Sequence, residues 1–400
     1  CNNPYEDPRF NRSFDMNNNF TTKSLLVSPV LSSTGQVLGV VEMVNKVDGG
    51  FNDKDVDLLK SMTIFAGVSL ENSKLKDSAL AGVENELLRF MEDSERGIGI
   101  IPKRLQLTEE EQKECSSRAF FTIDWKGDKQ IKLLFYLFNK FELLETFKVD
   151  NDMFFRYIYE LRSLYNDVPY HNWIHACDVT QYLSYEISTA HLDKVYTKLE
   201  LFSLLVAATG HDANHNGFNN VYNEKAQTPL GILFKEHSVM ETHHCTKLIG
   251  ILTNENFNLM HALNKNDTNK MWTIIIRLIL ATDMAFHFNM VKKLGEILDN
   301  GIDWNDDDQR LLTMQMLLKV SDISNVSRPF EIADKWCDVL NEEFFRQGDL
   351  EKELGIGLTS PLNDREHPDK PKSQIGFYNF ICLPLYSVVA RTFPELQVNA

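Results

Sequence analysis

The sequence predicts a chain in two parts, a largely α-helical domain over about residues 103 to 400 behind a smaller α/β module. Three observations predict it. A chain of 400 residues with 43% hydrophobic residues and 26 Phe is long and apolar enough to bury more than one core. Two β-rich runs joined by a turn-forming cluster lie near the N-terminus. Beyond residue 103 no strand series recurs, whereas apolar runs of helical length do.

Taken in order, Lys23–Leu31 and Gln36–Val44 are the β-rich runs, and Ser32-Ser-Thr-Gly35 between them predicts a hairpin. From Asn52 the pattern turns helical, with Leu59, Met62, Ala66 and Leu70 on one face and Asn52 or Asp53 available as cap. This helix is expected to run into the charged segment ending near Arg96, where Gly97-Ile-Gly-Ile-Ile-Pro102 breaks it. The resulting division is a module over 1–72, a linker helix and break over 73–102, and the main domain over 103–400. Within the main domain the clearest helical runs are Leu133–Phe147, Phe154–Tyr165, Leu199–Thr209, Trp272–Ala285 and Leu311–Ile323. The Asn-rich stretches 11–19 and 254–269 read as loops.

Charge and cysteine usage narrow the function classes. With 57 acidic against 41 basic residues and a formal net charge of -16, the chain lacks the basic face that a nucleic-acid polymer requires. An acidic protein acting on an anionic substrate needs metal ions or local donors to offset its own field. The most apolar stretch, Trp272–Phe286, contains Arg277 and Asp283, so no membrane span is expected. The six cysteines form no CxxC pair, which predicts reduced thiols and a cytoplasmic location. No signal peptide is visible, and the chain opens on Cys1, which is not expected to be the biological start.

The chemistry is concentrated in histidines. His171, His175, His211, His215, His243 and His244 fall within about 75 residues, in three short clusters. His171-Asn-Trp-Ile-His175 and His211-Asp-Ala-Asn-His215 share an HxxxH spacing, which on a helix puts both imidazoles on one face. The second pair adds Asp212 directly after the apolar run Leu199–Thr209, a donor set suited to a divalent metal. Asp322 ends another apolar run, a costly position for a carboxylate unless a cation or hydrogen bonds offset it. Any single histidine here is more often a core or solvated side chain than a ligand, but two HxxxH pairs, one with an adjacent aspartate, favour a metal site.

These residues resemble the catalytic domain of class I 3',5'-cyclic-nucleotide phosphodiesterases. The similar segments are Val168-Pro-Tyr-His-Asn-Trp-Ile-His-Ala176, His211-Asp-Ala-Asn-His-Asn-Gly-Phe-Asn-Asn220, Ala281-Thr-Asp-Met284, Ser321-Asp-Ile-Ser-Asn325, Glu342-Glu-Phe-Phe-Arg-Gln-Gly-Asp349 and Gln374-Ile-Gly-Phe377. The resemblance spans about residues 105 to 395 and implies an all-α, HD-type multi-helix fold. It implies that His175, His211, Asp212 and Asp322 bind a first metal, Zn2+, and that Asp212 bridges to a second, Mg2+ or Mn2+, otherwise held by waters. His215, Glu241 and Thr282 would order those waters. Two cations about 3.5 to 4 Å apart can hold a shared water as hydroxide and neutralise phosphoryl oxygens. His171 would be the general acid protonating the leaving O3'. Gln374 would pair with the purine edge of the cyclic nucleotide, Phe377 and Leu340 would clamp the ring, and Phe344 and Asn325 would line the pocket. An amide presents either donor–acceptor order, so cyclic AMP and cyclic GMP are not separated by these residues.

Two positions depart from the family pattern. Ala213 stands where a larger apolar residue is usual and Asn214 where Asp or Glu is usual, which predicts weaker orientation of the metal ligands and reduced activity. A third departure is that the sequence stops at Ala400 where the family continues into a further helix, so the C-terminus is expected to be truncated. At the N-terminus, Asp7-Pro-Arg-Phe10, Thr22-Lys-Ser24, Asn45-Lys46, Phe51 and Asp55 resemble the second half of a GAF domain, with Val56 departing from a usual Glu. The resemblance implies a partial α/β GAF module that does not by itself bind a regulatory nucleotide, and a homodimer through that module and the linker helix. Two rivals stay open: an HD-class phosphohydrolase acting on another phosphoester, and a decayed regulatory or scaffolding homologue.

Overall fold

Two antiparallel strands open the fold, β1 (Leu25–Leu31) and β2 (Val37–Val44), registered Leu25 against Val44 and Val30 against Gly39. In this computed structural model residues 1–70 are described apart from 19, 32–35, 48, 61, 64, 65, 68 and 69, and residues 101–399 apart from 102, 236 and 237. The turn 32–35 and nearly all of the 73–102 linker therefore lie outside the described residues. The short helix α1 (Ser13–Asn18) occupies part of an Asn-rich stretch that reads as loop in the sequence. Asn11 accepts from the Ser13 N–H and so starts a helix, as an Asn cap can. A second helix, α2 (53–60), begins where Asn52 Oδ1 accepts from the Lys54 and Asp55 N–H groups. Its Leu59 is buried with Val30 of β1, but Met62 and Leu70 are exposed. The expected motif residues knit this module locally. Lys46 pairs with Asp55 at 2.6 Å, and the Asn45 side chain holds the Lys23 N–H at 2.6 Å and the Thr21 carbonyl at 2.9 Å.

From residue 103 the described chain is helical: α3 (Glu109–Cys115), α4 (Asp128–Lys140), α5 (Leu143–Thr146), α6 (Asn151–Leu164), α7 (Trp173–Thr189), α8 (Lys198–Gly210), α9 (Asn220–Lys225), α10 (Pro229–Leu233) and α11 (Val239–Leu252). It continues through α12 (Lys265–Leu280), α13 (His287–Asn300), α14 (Asp307–Asp322), α15 (Phe330–Leu354), α16 (Lys370–Phe377) and α17 (Leu383–Thr392). The expected single run Leu133–Phe147 is two helices, because Glu142 takes a left-handed conformation between α4 and α5. The expected loop 254–269 is cut short. Asn264 caps the N–H groups of Asn266 and Asp267 and starts α12 inside the Asn-rich stretch.

α8 is the axis of this domain. Every residue from Glu200 to Gly210 is buried, so an apolar sequence without amphipathic character becomes a helix surrounded on all sides, against α7, α11 and α12. Around it Phe147 stacks on Phe202 at 4.7 Å, and Phe154 meets Phe135 at 5.0 Å and Phe138 at 4.7 Å. Each such fully buried ring contributes about 1.5–3 kcal/mol. Thr197 and Glu200 form a capping box at the start of α8, and Arg310 of α14 grips the same Glu200 carboxylate at 2.6 and 3.1 Å. At the other end, a Cβ on Gly210 would stand 2.8 Å from the Leu248 side chain, so glycine lets α8 and α11 close together. The helical stretch Lys370–Thr392 is long and apolar enough to cross a membrane, but Leu385, Tyr386, Val388 and Val389 pack it into this core.

Candidate metal centre and its flanking imidazoles

Three helix ends converge on one point. α8 ends at Gly210 and delivers His211 and Asp212, α14 ends on Asp322, and α7 presents His175 on its first turn. The HxxxH pairs do not lie on helices as the spacing suggested. Asn172 caps α7, accepting from the Ile174 and His175 N–H groups, so His171 stays outside the helix. His215 lies beyond α8 in a turn where Asn214 has φ +63°.

His175 Nε2 and His211 Nε2 approach the same oxygen, Asp322 Oδ1, at 3.1 and 3.2 Å, while Asp212 Oδ2 lies 3.0 Å from His211 Nε2. His211 Nδ1 donates to the Ala208 carbonyl at 2.9 Å, which turns its Nε2 inward toward the carboxylates. Asp212 Oδ2 is buried and accepts no hydrogen bond. The four donor atoms lie within 4.8 Å of one another. Burial alone would push the Asp322 carboxyl up and the His211 imidazole down, but His175 and His211 hold Asp322 low, and Asp212 and then Asp322 hold His211 high. Two imidazole nitrogens, two carboxylates and an orphaned buried oxygen fit a divalent cation.

A second set stands beside the first. His171, a quarter exposed, pairs through Nδ1 with Glu343 Oε1 and stacks on the His215 ring at 4.1 Å. Glu343, buried on α15, also accepts the Tyr170 and His171 backbone N–H groups at 2.8 and 3.1 Å. Burial opposes the charge on His171, yet the Glu343 carboxylate outweighs it and raises the imidazole to about 9. His215 is held well below the ordinary imidazole value by burial and by the charge on His171, and its Nδ1 accepts the Gly217 N–H at 2.9 Å.

Other expected site residues are arranged around these sets. Glu241 accepts from Asn220 at 2.9 Å and is raised to about 7, by burial first and then by Asp283. Thr282 is buried, and its hydroxyl donates to the Ile279 carbonyl at 2.7 Å. Leu340 and Phe344 lie half-buried on α15, and Gln374 and Phe377 one turn apart on α16. Lys370 bridges Asp334 and Asp338 at 2.6 Å each, and the Tyr378 hydroxyl donates to the Val326 carbonyl at 3.0 Å, tying both ends of α16 to α15 and to the turn containing Asn325. The Asn325 amide donates to the Tyr170 hydroxyl at 3.1 Å.

Sequence reasoning missed Glu343 and Lys319 and gave His244, one of the clustered histidines, no role. His244 Nδ1 donates to the Ala213 carbonyl at 2.8 Å and its Nε2 lies 3.6 Å from Asp212 Oδ1, while burial lowers it to about 4. Lys319 is buried on α14. Asn214, expected to loosen the ligands, instead turns away from them: its amide donates to the Leu164 carbonyl at 3.1 Å and accepts from His243 Nε2 at 2.9 Å.

A helical domain gathering a His-Asp doublet, a second His and a second Asp at the ends of three helices is an HD-type domain. The family model of 3'5'-cyclic nucleotide phosphodiesterase matches residues 170–400, and that of the GAF domain matches residues 1–70. The chain belongs to the 3',5'-cyclic nucleotide phosphodiesterase family. It is 30% identical over 382 residues to a cGMP-specific 3',5'-cyclic phosphodiesterase of Drosophila melanogaster, the match covering 94% of this chain and 34% of that protein. The corresponding Drosophila virilis protein is 31% identical, with 43% of its length covered. The chain thus spans less than half the length of these curated relatives. Among solved structures, LmjPDEB1 in complex with IBMX aligns with TM-score 0.67 and 31% identity, covering 75% of this chain and 95% of that one. The phosphodiesterase domain of the RhoPDE fusion protein from the choanoflagellate Salpingoeca rosetta aligns with TM-score 0.69 and 27% identity, covering 71% and 90%.

Proposed function

We propose that the chain hydrolyses 3',5'-cyclic nucleotides to 5'-nucleoside monophosphates and so terminates a cyclic-nucleotide signal. The observation that carries this reading is the convergence of His175, His211, Asp212 and Asp322 within 4.8 Å, beside an imidazole held by its own carboxylate. In this reading the four donors would hold the first metal, Zn2+, and Asp212 would also serve a second, Mg2+ or Mn2+. Bound divalent ions supply Lewis acidity and an activated water for attack at phosphorus. His171 holds the proton that goes to O3' as the P–O bond breaks, and Glu343 keeps that proton on the ring at neutral pH. His215, Glu241 and Thr282 would orient waters around such ions.

Leu340, Phe344 and Phe377 form the walls for the base, with Asn325 and Gln374 as its polar contacts. These contacts leave the substrate as cyclic AMP, cyclic GMP or both, because an amide side chain presents either donor–acceptor order. The same reading divides the chain into a GAF part over 1–72, a linker over 73–102 and the catalytic domain over 103–400, with dimerisation through the first two. The six cysteines are free, which supports a cytoplasmic location. One assay tests the proposal: hydrolysis of both cyclic nucleotides with and without chelator and added magnesium. Chelator-sensitive opening to the 5'-monophosphate is expected, and a metal-loaded chain that opens neither substrate overturns it.

A further inference from the structure

Lys319 lies in an apolar run and is 3% exposed. Its ammonium donates to the Ala281 carbonyl at 3.0 Å and reaches the Thr282 carbonyl at 3.4 Å and Met284 Sδ at 3.9 Å. Among the described residues no carboxylate comes within 4.0 Å of it, so it is a buried cation without an ion-pair partner, an expensive arrangement unless the wider field is negative.

That field is negative, and it belongs to the metal centre. Asp322 follows Lys319 by three residues on α14, on the same face of the helix, Asp283 follows the carbonyl that Lys319 holds, and Glu241 of α11 is the third acid whose charge reaches it. All three carboxylates favour the charge on Lys319, against a burial penalty that pulls the ammonium down. His287 of α13 is buried and lowered to about 4 by burial and then by Lys319, so it adds no second positive charge.

We propose that Lys319 is a fixed counter-cation of the metal centre, which satisfies part of its negative charge and thereby weakens the hold on the second, exchangeable divalent ion. The proposal rests on the metal-site reading above. A permanent positive charge beneath a cation site repels an entering divalent ion and shares its carboxylates. A lysine serving only to anchor the 281–282 turn would have the opposite effect, because losing the anchor would loosen the site.

The test is Mn2+ binding to the zinc-loaded chain, read by electron paramagnetic resonance without substrate. Lys319→Met removes the charge, and Lys319→Gln removes it while keeping donors for the two carbonyls. Both are expected to tighten Mn2+ binding by about ten-fold, with Lys319→Arg close to the parent. Unchanged or weaker binding in the neutral variants overturns the proposal, as does tighter binding in Lys319→Arg or failure of both neutral variants to fold. If the parent chain bound no Mn2+, the metal-site reading itself would fail, an outcome distinct from equal affinities in parent and variants.

Discussion

The two halves of the site use the same kinds of side chain and differ in what their carboxylates already bind. Around His175, His211, Asp212 and Asp322, two acids and two inward-turned imidazole nitrogens face one another, and Asp212 Oδ2 accepts no hydrogen bond. Around His171, His215 and Glu343, the donors are equally close, but Glu343 is saturated by two backbone N–H groups and the His171 ring. The first set has an excess of acceptors and calls for a cation; the second is neutral as a pair and holds a proton. Proximity of histidines and acids therefore does not define a metal site. Unfilled lone pairs do.

The comparison breaks most visibly at Asp322. Asp322→Ala removes the oxygen that both inward imidazoles face, so metal content should fail and cyclic-nucleotide turnover should fall by at least about 10⁴-fold. Metal analysis of the purified variant checks the order of events. His171→Asn should lower kcat by roughly 10²- to 10³-fold with metal content intact. Loss of metal in that variant would move His171 into the ligand set and erase the distinction between the halves.

Glu343→Gln sharpens the comparison, with a smaller loss of roughly ten-fold near neutral pH and a displaced pH profile. The folded His171 is raised to about 9, so the protonated acid persists below that value and activity should fall as pH rises through it. Without the Glu343 carboxylate only Asp212 and Asp322 still oppose burial, so the alkaline limb should move down from about 9 toward the ordinary imidazole value. The stability from this pair is fully present between the ordinary carboxylate value and about 6.5, is lost as pH rises through the folded His171 value, and is lost again as pH falls through that of Glu343, held down at about 2. An unshifted kcat profile in Glu343→Gln would mean that another group sets the protonation of His171.

The half that calls for a cation was the more legible one in the sequence. Its ligands fall in tight clusters, and Asp212 and Asp322 stand out because each ends an apolar run. Glu343 did not stand out. It is 172 residues from His171, and Glu342 beside it is an exposed-face acid paired with Arg346 and Arg365. The available signal was periodicity, since Glu343 shares the inward face of α15 with Trp336 and Gln347. Lys319 was hidden for the converse reason, a single charge in a run that reads as core. The helices themselves were largely predictable, but their ends were not, because caps such as Asn172 and Asn264 and the left-handed Glu142 act over one or two residues.

The smallest expected effect concerns Asn214, the departure that sequence alone made suspect. Its amide nitrogen donates to the Leu164 carbonyl at the C-terminal end of α6, and its oxygen accepts a hydrogen bond from His243 Nε2. His243 is lowered to about 3 by burial and by the charge on neighbouring groups, so it remains a neutral donor at pH 7 and would still serve an aspartate. Asn214→Asp accepts the left-handed backbone equally well but sets a carboxylate oxygen against the Leu164 carbonyl, at the negative end of a helix. The expected cost is about 1 kcal/mol in chemical denaturation, with metal affinity and kcat within about two-fold of the parent. A ten-fold change in metal affinity would show instead that position 214 orients the ligands of the centre, and that the boundary between the cation-holding half and its surroundings lies farther out than the hydrogen bonds drawn here.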